Sequence, residues 1–541
     1  MSESSLLSEN PRPSRAWTGH PRFLVALALC LLVAALADAQ ESVGIFENHS
    51  DVGTVLHAGT ATYDPAKQTY TLTGSGEHMW AAQDAFQFAW KKVSGDVELT
   101  ADISFANSAG NPHKKAVLMF RQSLDADSVY VDLALHASGL LALQYRDEKG
   151  AITREIQSNV SPGFYRFPKR TPLPWRFRLT RRGKDIYVTT GESYGTPQHD
   201  GETIRIPLEG EFYAGIGVCA HDKDAVEQAM FSNVQLRNLK ASTGTPVLFS
   251  TLETVSTSAT DRQVIYFAQD RFEAPNWSRD GSYLLFNRNG HLEKLPVAGG
   301  IPQVLNTGSA THLNNDHGIS PDAIQLAISD NTAETKSPDG KPAHDSLVYV
   351  VPINGGSPRR ITKDAPSYWH GWSADAKTLA FVGQRNGDFD IYTIPVSGGD
   401  EARLTTAKGL DDGPDYSPDG QYIYFNSERT GHMQIWRMKA DGSEQEQVFS
   451  DDYNNWFPHI SPDGKWMVFL TYEKDVTGHP ESKDVMLRLM NLDDKKVTVL
   501  AKLFGGQGTI NVPSWSPDSK QVAFVSYQFI AAEDAQGSAI K

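Results

Sequence analysis

The sequence predicts an all-β protein in which an antiparallel sandwich precedes a closed ring of six four-stranded blades. Two observations carry this prediction. A short turn phrase occurs six times in the second half of the chain, and the first half shows strand-like alternation of apolar and polar residues without that repeat. Segments with helical periodicity are almost absent, which favours an all-β fold over a mixed one.

Composition and charge limit the classes of partner. The chain has 541 residues, of which 50 are basic and 65 acidic, so its formal charge is −15. No block of lysine or arginine occurs in it. Because contact with a nucleic-acid backbone is made by clustered cations, we expect no nucleic-acid partner.

Residues 1–39 have the layout of a secretory signal peptide. An apolar run at residues 23–37 is preceded by Arg12, Arg15 and Arg22. The small residues of a cleavage site follow at Ala37 and Ala39. The alternative is an uncleaved anchor, but the run is shorter than the roughly 20 apolar residues that a spanning helix needs. We therefore expect a periplasmic or secreted protein with no transmembrane segment after cleavage.

Residues 40–242 predict an antiparallel sandwich. In the stretch Val97, Leu99, Ala101, Ile103 and Phe105 every second residue is apolar, as in a half-buried strand. Residues 212–217 and 231–234 resemble the final strands of concanavalin A-like, laminin G-like jelly rolls. This resemblance implies a jelly-roll domain, with residues 243–246 as the linker that follows it.

Residues 243–528 carry the repeat. An apolar or aromatic residue is followed by Ser, usually Pro, then Asp and usually Gly, and the six serines are Ser278, Ser320, Ser373, Ser417, Ser461 and Ser516. Their spacings of 42, 53, 44, 44 and 55 residues are close to the length of one four-stranded propeller blade. Pro, Asp and Gly favour a tight turn, so each phrase should connect two strands of a blade.

The ring should be closed by strands from both of its ends. The sixth copy runs out after residues 521–526, two strands short of a blade, whereas two strand-like stretches at residues 247–254 and 262–268 precede the first copy. We predict that these stretches complete the last blade, which removes exposed sheet edges. Residues 529–541 are then a C-terminal tail.

The six Ser-Pro-Asp-Gly-like phrases, with Gly-Gly turns between them, resemble the propeller of the TolB family, a periplasmic component of the Tol-Pal envelope system. The resemblance covers roughly residues 246–528. It implies a six-bladed propeller and an envelope protein as partner. Related propellers occur in oligogalacturonate lyases, whose metal is held by histidines on the funnel, so the same resemblance leaves an enzymatic function open.

Polar residues enter the innermost strand of several blades, and we expect them to meet at one mouth of the ring. The candidate ligand-binding residues are Asn315, Asp316, His317, Trp369, His370, Asp411, Asp412, Asp415, Asn455, Trp456, His459 and Asn511. His317 and His370 hold the same place, three residues before the serine of their copies. The alternative is that these side chains cap loops and order water in the channel.

Three chemistries fit this set. His317, His370 and His459 could ligate a divalent metal ion, the one cofactor we consider. Asp316, Asp412 and Asp415 could supply the two carboxyl groups of a glycosidic general acid and base. Trp369 and Trp456 could stack on a sugar ring, although tryptophans in propellers also pack between blades.

The sequence therefore favours an exported binding protein, expected to be a monomer, whose funnel holds a glycan or an envelope protein partner. A Tol-type translocation or scaffold role fits this hypothesis. The alternative is a carbohydrate-active enzyme, either a metal-assisted polysaccharide lyase or a glycoside hydrolase with its site in the funnel.

Overall fold

The computed structural model describes residues 42–107, 109–158, 175–192, 198–336, 342–385 and 387–535. Residues 43–541 form one compact unit, and its described part is almost entirely β-structure, as predicted. The predicted signal peptide lies outside the described residues. In the part of the chain that the structure describes, no helix has the length and apolar character to cross a membrane.

The N-terminal half forms two antiparallel sheets and a short ribbon, β4–β5. Its strands are β1 (Asn48–Val52), β2 (Thr60–Asp64), β3 (Thr69–Gly74), β4 (Met79–Trp80), β5 (Gln83–Asp84), β6 (Phe86–Ser94), β7 (Val97–Phe105), β8 (Lys115–Arg121), β9 (Tyr130–His136), β10 (Leu141–Arg146), β11 (Arg154–Ser158), β12 (Trp175–Arg182), β13 (Asp185–Glu192), β14 (Gln198–Arg205), β15 (Glu211–Cys219) and β16 (Glu227–Asn238). One sheet has the order β14-β13-β12-β7-β16-β3-β2, and the other begins β1-β6-β15-β8-β9-β10-β11.

One hydrophobic core lies between these two sheets. Leu99 and Ile103 of β7 pack there with Leu118 and Phe120 of β8, and all four are buried. The apolar residues of the predicted alternation, from Val97 to Ile103, belong to this core. The polar residues between them are buried as well, so the strand is not half-buried as predicted. The assignment of the two sheets to a jelly roll stays a prediction.

The two halves of the chain share a sheet that crosses the predicted boundary at residues 243–246. Strands β17 (Val247–Ser256) and β18 (Asp261–Ala268) pair antiparallel with each other, and β18 pairs parallel with β11 over Glu155–Asp261 to Ser158–Val264. Arg205 of β14 also contacts Asp484, with 2.5 Å between Nη1 and Oδ1. Neither contact was predicted from the sequence, and the predicted domain limits stay predictions.

Five blades follow, each a four-stranded antiparallel sheet built in chain order. They are blade 1 with β19 (Phe272–Trp277), β20 (Tyr283–Arg288), β21 (His291–Pro296) and β22 (Gln303–Val304); blade 2 with β23 (Leu313–Ile319), β24 (Gln325–Lys336), β25 (Pro342–Pro352) and β26 (Arg359–Arg360); blade 3 with β27 (Ser367–Trp372), β28 (Thr378–Gln384), β29 (Phe389–Pro395) and β30 (Ala402–Arg403); blade 4 with β31 (Asp411–Tyr416), β32 (Tyr422–Ser427), β33 (Gln434–Lys439) and β34 (Glu446–Phe449); and blade 5 with β35 (Asn454–Ile460), β36 (Trp466–Tyr472), β37 (Lys483–Asn491) and β38 (Val497–Gly505). The first strands of successive blades contact one another, so they line the axis of the propeller.

The predicted count of six four-stranded blades is not confirmed, because the described residues form five. In the sixth copy the only ladder of the would-be inner strand is a single bridge between Trp515 and Val522. Pro513, which has no N–H to donate, interrupts that segment. The last strand, β39 (Gln521–Ile530), is followed by a one-turn helix, α1 (Ala532–Ala535), within the predicted tail.

The predicted pairing of the two ends of the ring is confirmed. Strand β39 pairs antiparallel with β17 along its whole length, from Val247–Ile530 to Ser256–Gln521. Strand β17 also pairs with β18, and β18 pairs with β11. These strands therefore belong to a ten-stranded sheet rather than to a separate blade.

The repeated phrase is a turn with the same hydrogen bonds in every copy. In the fourth copy the Ser417 hydroxyl donates to Asp419 at 2.6 Å and accepts from the backbone N–H of Tyr422 at 3.0 Å. Corresponding bonds hold the turns of the other five copies. The repeated Ser and Asp are therefore explained by turn geometry, and they lie outside the candidate site.

A prediction concerns the closure strands. Glu253 of β17 is buried and bonded to both Arg262 of β18, at 2.8 Å twice, and Ser526 of β39. Replacing it by Glu253→Gln leaves the buried Arg262 without its counter-charge and should lower the free energy of unfolding by about 3 kcal/mol. Urea denaturation measures the change.

The matched control is Glu444→Gln, which removes the same charge from an exposed ion pair with Lys439. This variant should change the free energy of unfolding by less than about 0.5 kcal/mol. Equal effects of the two substitutions would contradict a closing role for Glu253.

Candidate functional site at the propeller axis

The innermost strands share one irregularity, which positions the side chains at the axis. The ladder to the second strand breaks between Glu273 and Asn276, Leu313 and His317, Trp369 and Gly371, Asp412 and Asp415, and Trp456 and His459. In blades 1, 4 and 5 the break contains Pro275, Pro414 or Pro458, whose missing N–H ends the ladder. A bulge of this kind bends the strand and re-aims its side chains.

In blades 2 and 3 the corresponding positions hold His317 and His370 instead of proline. His370 reaches the carboxylate of Asp412 in blade 4, with 3.3 Å between Nε2 and Oδ1. The other oxygen of Asp412 lies 3.6 Å from Nε2 of His479. Three residues from different blades thus form one chain of charge-assisted contacts, which we call the axial chain.

The axial chain runs from the interior to the surface. His370 and Asp412 are buried, whereas the side chain of His479 is 30% exposed. Burial alone would raise the pKa of Asp412, but the hydrogen bond and charge of His370 and the charge of His479 outweigh it and lower that pKa. Burial would likewise lower the pKa of His370, but the charges of Asp316 and Asp412 raise it.

Asp316 of blade 2 lies beside the axial chain and is differently placed. Its side chain is buried, with a residue exposure of 6%, and no hydrogen bond reaches its carboxylate from the described residues. Burial raises its pKa to about 7; His370 opposes this shift, and the charges of Asp412 and Glu273 add to it. Two neighbouring carboxyl groups therefore differ in protonation near neutral pH.

His479 was not among the sequence-predicted site residues. It lies in the polar stretch between β36 and β37, which by composition is simply a loop insertion. The ring of His479 packs edge-on against Trp456, at 4.5 Å between ring centroids, and its Nδ1 contacts Gln507. Gln507 in turn accepts a hydrogen bond from Asn511 at 2.9 Å, so the predicted residues Trp456 and Asn511 support His479 rather than line the axial chain.

Several predicted residues are held away from the axial chain. Asp411 accepts two hydrogen bonds from Arg429, at 2.9 and 3.1 Å. Asn455 bonds to Gln434 and Asp451 at 3.0 Å each. Both are buried, and Gln434 belongs to the blade that precedes that of Asn455. Their predicted place at the funnel mouth stays a prediction.

Trp369 packs between blades instead of facing the axis. It is 1% exposed, and a Cβ added to Gly318 of the preceding blade would lie 2.0 Å from its ring. The glycine is therefore required by the close approach of the indole. Its neighbour in the predicted set, Asn315, is also buried.

The three predicted metal ligands do not come together as a ligand set. His459 already uses Nδ1 toward Asp415, at 3.1 Å, and Nε2 toward the carbonyl of Ile510, at 2.9 Å. Burial lowers the pKa of His317 to about 4, and the described residues offer neither of its ring nitrogens a hydrogen bond of good geometry. Across the described ranges no group of three or more His, Cys, Asp or Glu side chains is arranged to hold a metal ion. A metal at this site stays a prediction without structural support.

Comparison with known proteins gives similarities to the propeller half. A family model described as the TolB beta propeller domain matches residues 343–528. An uncharacterized protein of Agrobacterium fabrum is 49% identical over 279 residues, which are 51% of this chain and 92% of that protein.

Two solved structures are among those similar to this chain. One from Agrobacterium tumefaciens, provisionally assigned as TolB, is 48% identical and covers 52% of this chain and 99% of its own, with a TM-score of 0.49. TolB from Acinetobacter baumannii is 17% identical over 55% of this chain and 77% of its own, with a TM-score of 0.38.

A prediction follows from the raised pKa of Asp316. The protonated native carboxyl contributes stability that is present below the unfolded pKa of about 3.9 and is lost as the pH rises through about 7. Between pH 5 and pH 8 the wild type should lose roughly 2.5 kcal/mol that Asp316→Asn does not lose. Urea denaturation at both pH values measures this difference.

The control is Asp441→Asn, since hydrogen bonds from Ser443 lower the pKa of that exposed carboxyl. A lowered pKa changes stability only below pH 4 or so, and this variant should therefore follow the wild type from pH 5 to pH 8. The prediction is wrong if Asp316→Asn and the wild type show the same pH dependence.

Proposed function

Because the chain belongs to the TolB-like β-propeller family, we propose that it is an exported binding protein whose axial chain holds a glycan or a peptide segment of an envelope protein. Export rests on the signal-like pattern of residues 1–39. A periplasmic or secreted location follows from the same pattern. The protein acts as a monomer in this proposal, with a Tol-type translocation or scaffold role.

The observation that carries the proposal is the axial chain itself. His370 of blade 3 and His479 of blade 5 converge on Asp412 of blade 4, and one of them, His479, reaches the surface. A few convergent polar groups at the end of a largely apolar surround are the usual form of a ligand site. The surround here includes Phe457, whose ring stacks on His370 at 6.1 Å between centroids and lies edge-on to His479 at 5.2 Å.

Two finer assignments belong to this proposal. We place β39, β17 and β18 at the position of a sixth blade, since β39 contacts β19 of blade 1 and β38 of blade 5. We assign the two N-terminal sheets to a jelly roll of the concanavalin A-like type, on the resemblance of their last strands.

The test compares the ligands selected by the wild type with those selected by a variant of His479, the exposed member of the axial chain. A glycan array and a random-sequence peptide phage library are each screened with the wild type, with His479→Ala and with His432→Ala. His432 is exposed in blade 4 and makes a matched control. Ligands selected by the wild type should bind His479→Ala about 10-fold to 100-fold more weakly, as expected for a lost charge-assisted hydrogen bond, and His432→Ala unchanged. No selected ligand, or equal loss in both variants, contradicts the proposal.

One observation favours a second function, glycoside hydrolysis. The pKa of Asp316 is raised to about 7 and that of Asp412 is lowered, which is the division between a general acid and an ionised carboxylate in glycosidases. In this alternative Asp316 protonates the leaving oxygen and Asp412 stays charged. Asp415, the third predicted carboxyl group, is hydrogen-bonded to His459.

Release of reducing ends from a panel of polysaccharides tests the hydrolase. Activity of the wild type should fall by at least 100-fold in Asp316→Asn, since the general acid is lost. It should persist in Asp330→Asn, which makes the same change at a buried aspartate of the second strand of that blade. A wild type without activity on the whole panel removes this alternative and leaves the binding proposal intact.

A further inference from the structure

The insertion that carries His479 crosses the mouth of the propeller axis. We call residues 473–482, between β36 and β37, the strap. His479 at its tip contacts Asp412 of blade 4. Two residues further on, Glu481 pairs with Arg271, which precedes the first strand of blade 1. The strap therefore reaches from blade 5 to blade 4 and to the start of blade 1.

The strap covers the buried end of the axial chain. The exposed fraction of the side chain falls from 30% for His479 to 11% for Asp412 and 5% for His370. The buried Phe457 follows the same order, since its ring contacts the rings of both histidines. A molecule that comes from solvent therefore meets the tip of the strap before it reaches His370.

The base and the tip of the strap are held in different ways. At the base, Nδ2 of Asn454 in blade 5 donates to backbone carbonyls of residues 473–476, at 3.1–3.3 Å. The tip lies between two residues with positive φ, Gly478 at 68° and Ser482 at 59°. Every residue from 473 to 484 is exposed or half-buried, so release of the tip exposes little apolar surface. A segment of this kind opens locally at low cost while the blades stay folded.

Arg271 keeps other partners when the tip leaves. Its guanidinium is bonded to Glu273 and, at 3.2 Å, to the carbonyl of Gln507, and it lies 4.8 Å from the ring centroid of Tyr527. On the strap, the side chain of Glu481 is 58% exposed. Breaking the pair of Arg271 with Glu481 therefore leaves neither charge buried and unpaired, which keeps the cost of opening small.

We infer that the tip of the strap opens and closes over the axial chain, and that the ion pair of Glu481 with Arg271 latches it shut. The base stays on blade 5, and Gly478 and Ser482 are the hinges. This inference rests on the proposed function and adds the control of ligand entry to it, because a ligand reaches His370 only while the tip is released.

The rate at which diethyl pyrocarbonate modifies His370 measures the open fraction of the strap, because this reagent has to pass the tip to reach that imidazole. The purified protein is treated at pH 8, and modified histidines are quantified by peptide mass spectrometry, with the exposed His432 as internal standard. Glu481→Gln should raise the rate at His370 by about 3-fold to 5-fold, as expected for loss of a partly exposed ion pair. The matched control is Glu446→Gln, which breaks a pair of nearly equal exposure with Arg437 and should leave the rate unchanged.

A pair of glycines gives a second test that leaves the latch intact. Gly478 has a φ of 68° and the control, Gly464 in the turn of blade 5, has a φ of 74°; a Cβ at either position would meet no described atom within 4 Å. Gly478→Ala strains the closed hinge and should raise the rate at His370 about 5-fold, whereas Gly464→Ala should not. The rate at His136, a buried histidine of the N-terminal half, should be the same in every variant and reports global unfolding.

Equal rates at His370 in the wild type, Glu481→Gln and Gly478→Ala overturn the inference. The same holds if His370 is not modified in any of them, or if the two controls accelerate its modification equally. The ligand screen separates these failures from failure of the proposed function, since the modification uses no ligand. Ligands that depend on His479 together with equal rates would leave the binding function standing and remove the latch. Faster modification of His370 without any selected ligand would leave the moving strap and remove its role in binding.

Discussion

The antiparallel pairing of β17 with β39 is the constraint on which the rest of the propeller depends. It joins segments more than 260 residues apart along ten residue pairs. Glu253 ties β17 to β18 and to β39 by one buried carboxylate, so three strands are fixed together. The inner strands of blades 1 to 5 contact one another in turn between these closing strands. The axial chain joins consecutive blades 3, 4 and 5, since no two of its members share a blade.

The sequence predicts the parts of the fold that local chemistry determines. The Ser and Asp of each turn phrase bond within four or five residues, so the repeat and its period are readable without a structure. The sixth copy does not form a four-stranded blade of its own, because Pro513 interrupts it and its strand pairs with distant strands. A local pattern does not reveal this. The parallel ladder of β18 with β11 could not be predicted either, since neither segment contains a pattern that identifies its partner strand.

The candidate site likewise contains residues that the sequence predicts and one that it does not. His370, Asp412 and Asp316 were predicted because they enter innermost strands, and the structure gathers them. Asp411 was predicted as well, but successive side chains of a strand point to opposite sides, so Asp411 and Asp412 do not face the axis together. His479 was missed, since an insertion between strands gives no sign of where its tip will lie. The contacts of the insertion with Gln507 and Arg271 come from two different parts of the chain.

The parallel ladder between β11 and β18 bears on how this protein can differ from its relatives. In this chain the outer edge of β18 is covered by the N-terminal half. A family member whose propeller stands alone has to protect the same edge by other means, such as a shorter strand or charged side chains, because a bare edge recruits strands from other molecules. Gain or loss of an N-terminal half in this family is therefore tied to the sequence of one propeller strand, and the two should change together during evolution.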